Sequence, residues 1–337
     1  MTGRLTMNKK EVWTISEINH QKKLKPVSLE LLARGRTLAD RMDVPLSAVV
    51  LGNPGEQELQ ELIYYGADKV YWLRSKMLDK FIVENYSNVI EDLAKNYQPQ
   101  IIIAAATTQG RTLMPHLSIR LKTGLTADCT DLQIEEQTGL LLQVRPAIGG
   151  NIMAMIKTPQ KRPQMATVRP KSITPLPKDT TRKGQILPII VKESLLDKRV
   201  THLGYHPTEE QQADISTADF IIAGGRGLKK KENLSLIYEL ARQLNAAVGA
   251  SREVVDRGWI SYSHQVGLSG KTVNPKTYLA IGISGAIQHL AGMKTSDTII
   301  AINNDPQADI FKIADFGIAG DLFEIIPLLK KRLEEKR

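Results

Sequence analysis

Two glycine-containing turns between Gln265 and Asn303, QVGLSGKTVNPKTYLAIGISGAIQHLAGMKTSDTIIAIN, flank a short apolar run. That run, Tyr278-Leu279-Ala280-Ile281, has the length and composition of a buried strand, and Gly282 follows it at once. Continuing through Ile283-Ser284-Gly285 into Ala286-Ile287-Gln288-His289-Leu290, the chain reads as a strand-turn-helix unit. Unpaired amides and the positive dipole end of such a helix favour negative charge, so a phosphate-bearing cofactor is the chemistry expected here.

Neighbouring patterns fit other chemistries poorly. Gln265 to Thr272 stands one residue from a Walker A loop, with Gln265 in the place of the first glycine, and Gly258 to His264 is a poor strand to precede it. Gly224, Gly225 and Gly227 follow the strand-like Phe220 to Ala223, but Lys230 replaces the third glycine of GxGxxG, and no acid lies near the required offset of about 20 residues. Gly282-Ile283-Ser284-Gly285-Ala286 misses the GxSxG nucleophile elbow by one residue. His202 and His206 are spaced i,i+4, yet Gly204 and Pro207 oppose a helix and no third ligand is evident, so solvated histidines are expected and no metal. Cys129, in Ala127-Asp128-Cys129-Thr130, reads as a small buried thiol.

The elements that must position these turns alternate in type. Val12 to Ile15, Ser47 to Leu51, Lys69 to Leu73 and Gln100 to Ala106 read as strands; Ser28 to Arg41, Glu56 to Tyr65, Asp79 to Asn96 and Gln109 to Leu121 carry helical periodicity. Right-handed crossovers make that a largely parallel sheet. From Thr126 to Val168 the runs shorten to Leu140 to Val144, Ile152 to Ile156 and Met165 to Val168, which extend the sheet or form an antiparallel excursion. Arg169 to Gly184, with three prolines, has the composition of a linker or extended strand, and a boundary is expected between residues 195 and 215. A second alternation follows: strands at Phe220 to Ala223, Ala247 to Gly249, Tyr278 to Ile281, Thr298 to Ile302 and Phe311 to Phe316, with helices at Glu232 to Leu244, Gly285 to Ala291 and Leu322 to Leu333. The fold class is therefore α/β, with two α/β domains over residues 1–200 and 201–337.

Composition narrows the function. At 337 residues, 42% hydrophobic and 24% charged, the chain reads as a soluble globular protein able to bury two cores. No apolar run approaches the roughly 20 residues of a membrane span, and Met1 to Lys10 lacks a signal-peptide core, so no membrane insertion and a cytoplasmic location are expected. A single cysteine excludes an internal disulfide and a cysteine-ligated cluster built by this chain alone. The formal charge of +9 is dispersed and aromatics are only 5%, which argues against nucleic acid. Lys229-Lys230-Lys231 reads as a solvated run.

The segment from Gln265 to Asn303 resembles the flavin-binding signature of the alpha subunit of electron-transfer flavoprotein, through Tyr278, Gly282-Ile283-Ser284-Gly285, Ile287-Gln288-His289, Gly292-Met293 and Ala301-Ile302-Asn303. The similarity extends to GGRGL (Gly224 to Leu228), SRE (Ser251 to Glu253) and DPQADIFKIADFGIAGDL (Asp305 to Leu322). At the front it includes PVSLELLARGRTLAD (Pro26 to Asp40), TGLTADCTDL (Thr123 to Leu132) and RPAIGGNIMA (Arg145 to Ala154). The resemblance implies an N-terminal domain that pairs with a beta subunit and a C-terminal Rossmann-like domain that holds FAD non-covalently. It implies no catalytic residues, and so an electron carrier rather than an enzyme.

By the same resemblance, Arg226 meets the pyrophosphate or ring edge, and Ser251 with Arg252 approaches the flavin, where the guanidinium favours the anionic reduced ring and raises its potential. Gln265, Val266, Gly267, Leu268 and Ser269 form the turn in which Ser269 matches a threonine whose hydroxyl bonds the flavin N5. Gly282, Ser284, Gly285, Ala286, Ile287, Gln288 and His289 bind the cofactor's chain and ring, with His289 supplying a donated hydrogen bond or positive charge at the pyrimidine end. Asn303, Asp321 and Leu322 lie toward the adenosine, although an acid at Asp321 also suits a helix cap. Leu268-Ser269 stands where many members read Gln-Thr, a version similar to the subgroup linked to nitrogen fixation or electron bifurcation. Implied partners are the beta subunit, a flavin dehydrogenase of acyl-CoA type, and ferredoxin or flavodoxin through the complex. Alternatives are a flavin- or nicotinamide-dependent oxidoreductase complete in one chain, and a nucleotide-binding module built on the N-terminal sheet.

Overall fold

In the computed structural model, residues 10–147, 152–204, 215–216 and 218–335 are described, and the chain divides into two compact units, Met1–Leu203 and Gly204–Arg337. His206 and residues 148–151 of the RPAIGGN stretch lie outside the described residues.

The first unit runs β1 (Val12–Ile15), α1 (Pro26–Met42), β2 (Leu46–Leu51), α2 (Glu56–Tyr64), β3 (Lys69–Arg74), α3 (Val83–Tyr97), β4 (Ile101–Ala105), α4 (Thr108–Arg120), β5 (Leu125–Cys129), β6 (Asp131–Ile134), β7 (Leu141–Pro146), β8 (Met153–Ile156), β9 (Gln164–Val168) and β10 (Gln185–Ile190). Seven of these strands form a parallel sheet in the order β10-β3-β2-β1-β4-β9-β5. The central strands β2 and β4 are buried along their whole length, as continuous Val/Ile/Leu/Ala runs must be when helices cover both faces. Leu31, Leu32 and Leu38 of α1 and Leu59 and Ile63 of α2 pack one face; Val89 and Ile90 of α3 and Leu113 and Leu117 of α4 pack the other.

The shortened runs after residue 126 do both things expected of them. β9 and β5 extend the parallel sheet, while β6, β7 and β8 form a separate antiparallel sheet. The proline-rich stretch after Arg169 leads to β10, which pairs with β3 at the far edge; Pro188 is tolerated there because an edge strand has one side free of ladder bonds. The helix expected from Asp79 starts only at Val83, since a 3-10 turn at Lys76–Leu78 intervenes and the Asp79 carboxylate accepts from the Asn53 amide at 2.8 Å.

Strand order reverses between β1 and β4, where an open parallel sheet leaves a crevice for ligands. Here Glu17, 2% exposed, fills it: it accepts from Lys25 at 2.9 Å and from the Thr107 hydroxyl. Thr107 also caps α4, accepting from the Gly110 amide at 3.1 Å. The alternative of nucleotide binding by this sheet thus meets a position already taken by the chain's own side chains. Thr107→Ala removes the cap and a partner of Glu17, and is expected to lower stability by about 1–2 kcal/mol in urea denaturation.

The second unit runs β11 (Phe220–Gly224), α5 (Leu234–Leu244), β12 (Ala247–Ala250), α6 (Arg252–Asp256), β13 (Thr277–Ile281), α7 (Ile287–Leu290), β14 (Thr298–Asn303), β15 (Phe316–Ala319) and α8 (Leu322–Glu335). All five strands are parallel, in the order β12-β11-β13-β14-β15. One face is covered by α5 and α8 through Ile237, Leu240, Leu322 and Ile326. The other is closed mainly by loop residues, among them Val266, Val273, Ile283, Met293 and Ile310.

Two expected elements change. The helix over Gly285 to Ala291 is a single turn, because Gly285 at φ +91° lies in the left-handed region, outside helical backbone. The last strand begins at Phe316 rather than Phe311: Asp309–Lys312 is a 3-10 turn, and Asp315 joins the neighbouring strand through its amide to the Ile299 carbonyl at 2.8 Å and through its carboxylate to the Ile299 amide at 2.8 Å.

Candidate cofactor-binding site

In the second unit strand order reverses between β11 and β13, and a cleft of about 930 Å³ opens at the carboxyl ends of the strands there. Its volume is near the upper end for small-molecule sites, and its place is where a doubly wound sheet binds ligands. The loops after β11, β12, β13 and β14 all reach it. Arg226 comes from the first; Ser251 and Arg252, with Gln265, Val266, Gly267, Leu268 and Ser269 farther on, come from the second. Gly282, Ser284, Ala286, Gln288 and His289 come from the third, and Asn303 ends β14.

Backbone contacts stitch these loops together. The Gly227 amide donates to the Gly282 carbonyl at 3.0 Å, the Leu268 amide to Gln288 at 2.7 Å, and the Ile310 amide to Ser284 at 3.0 Å. A Cβ on Gly225 would lie 2.2 Å from the Gly282 oxygen, so the glycines after β11 serve close packing of two loops rather than a nicotinamide fingerprint. The Walker-like stretch closes on itself, Gly267 N to Lys271 O at 3.1 Å and Lys271 N to Gln265 O at 2.7 Å, which uses those amides internally. Because α7 is a single turn, the helix-terminus anion site expected there reduces to the amides of the 283–286 turn, the Gly282 amide donating to the Ile302 carbonyl at 2.8 Å.

His289 is one of the buried polar groups that line the cleft. It is 7% exposed, its Nε2 lies 3.1 Å from the Tyr278 hydroxyl, and Nδ1 has no hydrogen-bond partner of good geometry. Burial pushes its pKa down to about 4, against an opposing pull from the Val266 backbone, and burial raises the Tyr278 hydroxyl. Of the two roles expected of His289, burial disfavours the positive charge and leaves the hydrogen bond. The Ser269 hydroxyl accepts from Gln265 Nε2 at 3.0 Å and keeps its own hydrogen available. Asn303 braces the loops, donating to the Ile283 carbonyl at 2.8 Å and accepting from the Asp305 amide at 3.0 Å.

Gly285, Ile287, Asp321 and Leu322 do not line the cleft. Gly285 packs its turn against Ile310, and Ile287 is exposed. Asp321 caps α8, accepting from the Phe323 amide at 2.8 Å, and Leu322 is buried behind Gly282. Conversely, Gly227, Ile283, Glu253, Asp256, Asn304, Asp305, Gln307, Ala308 and Asp309 line it without having been assigned a cofactor contact from sequence, although all but Asp256 and Asn304 fall within the motifs that carry the resemblance. A signal for them existed: loops that follow successive parallel strands end on one side of the sheet, so residues just after β12 and β14 belong with those after β11 and β13. Two arginines thus face four carboxylates, with Arg226 at 3.5 Å from Glu253 and Arg252 at 3.1 Å from Asp256.

Cys129 is buried in the first unit with its thiol pushed up to about 12. Among the described residues no three His, Cys, Asp or Glu side chains group to hold a metal, and no helix is long and apolar enough to cross a membrane.

Comparison with known proteins agrees with this organisation. Residues 12–193 match the family described as Electron transfer flavoprotein domain, and residues 214–294 the family described as Electron transfer flavoprotein FAD-binding domain. The chain is 47% identical over 326 residues to the electron transfer flavoprotein subunit alpha of Thermoanaerobacterium thermosaccharolyticum, covering 97% of this chain and 98% of that one. It is 45% identical to Protein FixB of Clostridium saccharobutylicum, with 97% of each covered. It is also 41% identical, over 92% of this chain and 73% of the relative, to lactate dehydrogenase (NAD(+),ferredoxin) subunit LctC of Acetobacterium woodii.

Proposed function

Since this chain belongs to the electron transfer flavoprotein alpha-subunit family, we propose that it holds FAD in the cleft between the β11 and β13 ends and passes electrons between a flavin dehydrogenase and a second carrier. Members of the family are electron-transfer subunits that pair with a beta subunit, not enzymes in themselves. The observation that carries the site is convergence: residues from Arg226 to Asn303, expected separately on the resemblance, line one cleft.

The residues present fit the cofactor. Arg226 and Arg252 supply guanidiniums for a diphosphate or an electron-rich ring, the 283–286 turn brings backbone amides, and buried His289 reaches the cleft wall. Bound FAD supplies one- and two-electron redox chemistry. The chain's own part is electrostatic: Arg252 favours negative charge in the cleft, neutral His289 and the Ser269 hydroxyl offer hydrogen bonds, and the stitched loops hold these groups in place. Arg252→Ala is expected to lower the flavin midpoint potential and weaken FAD retention; an unchanged spectroelectrochemical titration would count against this role.

We infer further that the complex couples NADH to ferredoxin. Leu268-Ser269 and the 41% identity to a subunit whose name pairs NAD(+) with ferredoxin favour this over a simple acyl-CoA dehydrogenase carrier. Purification with the beta subunit, flavin counting and addition of NADH with and without ferredoxin test it. Two FAD per heterodimer, with ferredoxin reduced only when a high-potential acceptor is present, is the expected result. One FAD and no response to NADH would leave a simple carrier. A self-contained oxidoreductase would need an acid or base poised near neutral pH beside the ring, and His289, down at about 4, is poorly suited to that task.

A further inference from the structure

Helix α6 and its C-cap residue Arg257 carry two i,i+4 ion pairs, Glu253 with Arg257 at 2.8 Å and Arg252 with Asp256 at 3.1 Å. The first places its acid toward the helix N-terminus, the order that suits the backbone dipole. The second is reversed, with a cation in the first turn and an anion in the last. Helix stability does not account for that order. Position does: Arg252 and Asp256 both line the cleft, whereas Arg257 does not.

The other three carboxylates of the cleft are engaged elsewhere. Glu253 is shared between Arg226 and Arg257, Asp309 holds Lys312 at 2.6 Å, and Asp305 accepts from the Gln307 amide at 2.9 Å. Among the ion pairs described, Arg252 has Asp256 as its partner.

We propose that Asp256 offsets, at a bound flavin, the positive charge of Arg252, keeping the ring's potential lower and the cofactor more exchangeable than Arg252 alone would. The proposal rests on the reading of this cleft as the FAD site. A guanidinium with a carboxylate 3.1 Å away acts at the distance of a ligand as a dipole, whose field decays faster than that of a single charge. Asp256 also holds the guanidinium by its Nε, leaving the two terminal nitrogens to face other acceptors.

The test uses the full chain in complex with its beta subunit and the near-isosteric Asp256→Asn. The midpoint potential of the alpha-bound flavin is expected to rise and the FAD dissociation constant to fall about threefold, the size of an exposed ion pair. Both changes shrink as ionic strength increases. In an Arg252→Gln background, Asp256→Asn should still raise the potential, since the two charges add at the ring, and Arg252→Gln alone should lower it. Unchanged potential and affinity in the single variant overturn the proposal, as does a fall in potential, which would mean that Asp256 orients Arg252 toward the ring instead of offsetting it. Asp256→Ser repeats the comparison if the asparagine variant folds poorly by circular dichroism. A parent complex whose alpha subunit retains no FAD overturns the cofactor reading itself, so the two failures are distinguishable.

Discussion

Gly285→Ala will release the cofactor from the cleft and destabilise the second unit by about 3 kcal/mol, the sum of left-handed strain and overpacking. Gly285 sits at φ +91°, and a Cβ there would lie 2.2 Å from the Ile310 amide nitrogen and 2.7 Å from the Asp309 carbonyl carbon. Those are backbone atoms, which no rotamer change relieves. The neighbouring Ser284 carbonyl accepts from the Ile310 amide at 3.0 Å, so the clash pushes apart two loops that both line the cleft. Flavin content after gel filtration and hydrogen exchange of the β13 and β14 amides report the two effects. Gly258→Ala is the control: it has φ +68° but nothing within 4 Å of its Cβ position, so it carries strain without collision and keeps its flavin. A Gly285→Ala protein with full flavin content would sink the argument.

Acidification from pH 6.5 to 4 will weaken the second unit by about 3 kcal/mol through His289 alone, at 1.36 kcal/mol for each unit of pKa shift. The sign follows from burial. In the fold the imidazole stays neutral down to about 4, while in the unfolded chain it protonates near 6.5. Above pH 6.5 both states are neutral and nothing is lost. Below it the unfolded chain takes up a proton that the fold refuses, and stability falls until the pH reaches about 4. His289→Phe removes this titration and should flatten the corresponding slope of unfolding free energy against pH. An NMR titration of the ring is the direct measurement: a His289 resonance that moves with a midpoint above 6 in the folded protein would refute the assignment.

The His289 result marks where sequence information ends. The resemblance to the flavin-binding signature marked it as a site residue, and the structure brings it to the cleft. Its charge state was not legible, because it depends on the Tyr278 hydroxyl at 3.1 Å and on the loops that bury it, a product of packing across the sheet. Asp321 makes the complementary point. An acid opening a terminal helix reads from sequence as a cap, a contact toward the adenosine, or both; its 2.8 Å bond to the Phe323 amide establishes the cap. Glu253, Asp256, Asp305 and Asp309 went unassigned although residues just after β12 and β14 lie at the same end of the sheet as those after β11 and β13.

The strands and most helices were legible because they rest on local periodicity. Continuous apolar runs such as Leu46–Leu51 and Ile101–Ala105 are buried on both faces, and stripes such as Leu31, Leu38, Leu59 and Leu62 recur at helical spacing. Sequence by itself therefore determined the α/β class, the succession of most elements, the glycine turns and the family. Strand order was decided only in three dimensions: which edge receives β10, where the chain reverses between β1 and β4 and between β11 and β13, and that the first reversal is filled by Glu17 while the second opens as a cleft. The physical reason is range. Periodicity and turn chemistry act within a few residues, whereas the cleft is made by loops as far apart in the chain as Arg226 and Asp309. Their meeting depends on parallel strand pairing and core packing that no short window of sequence contains.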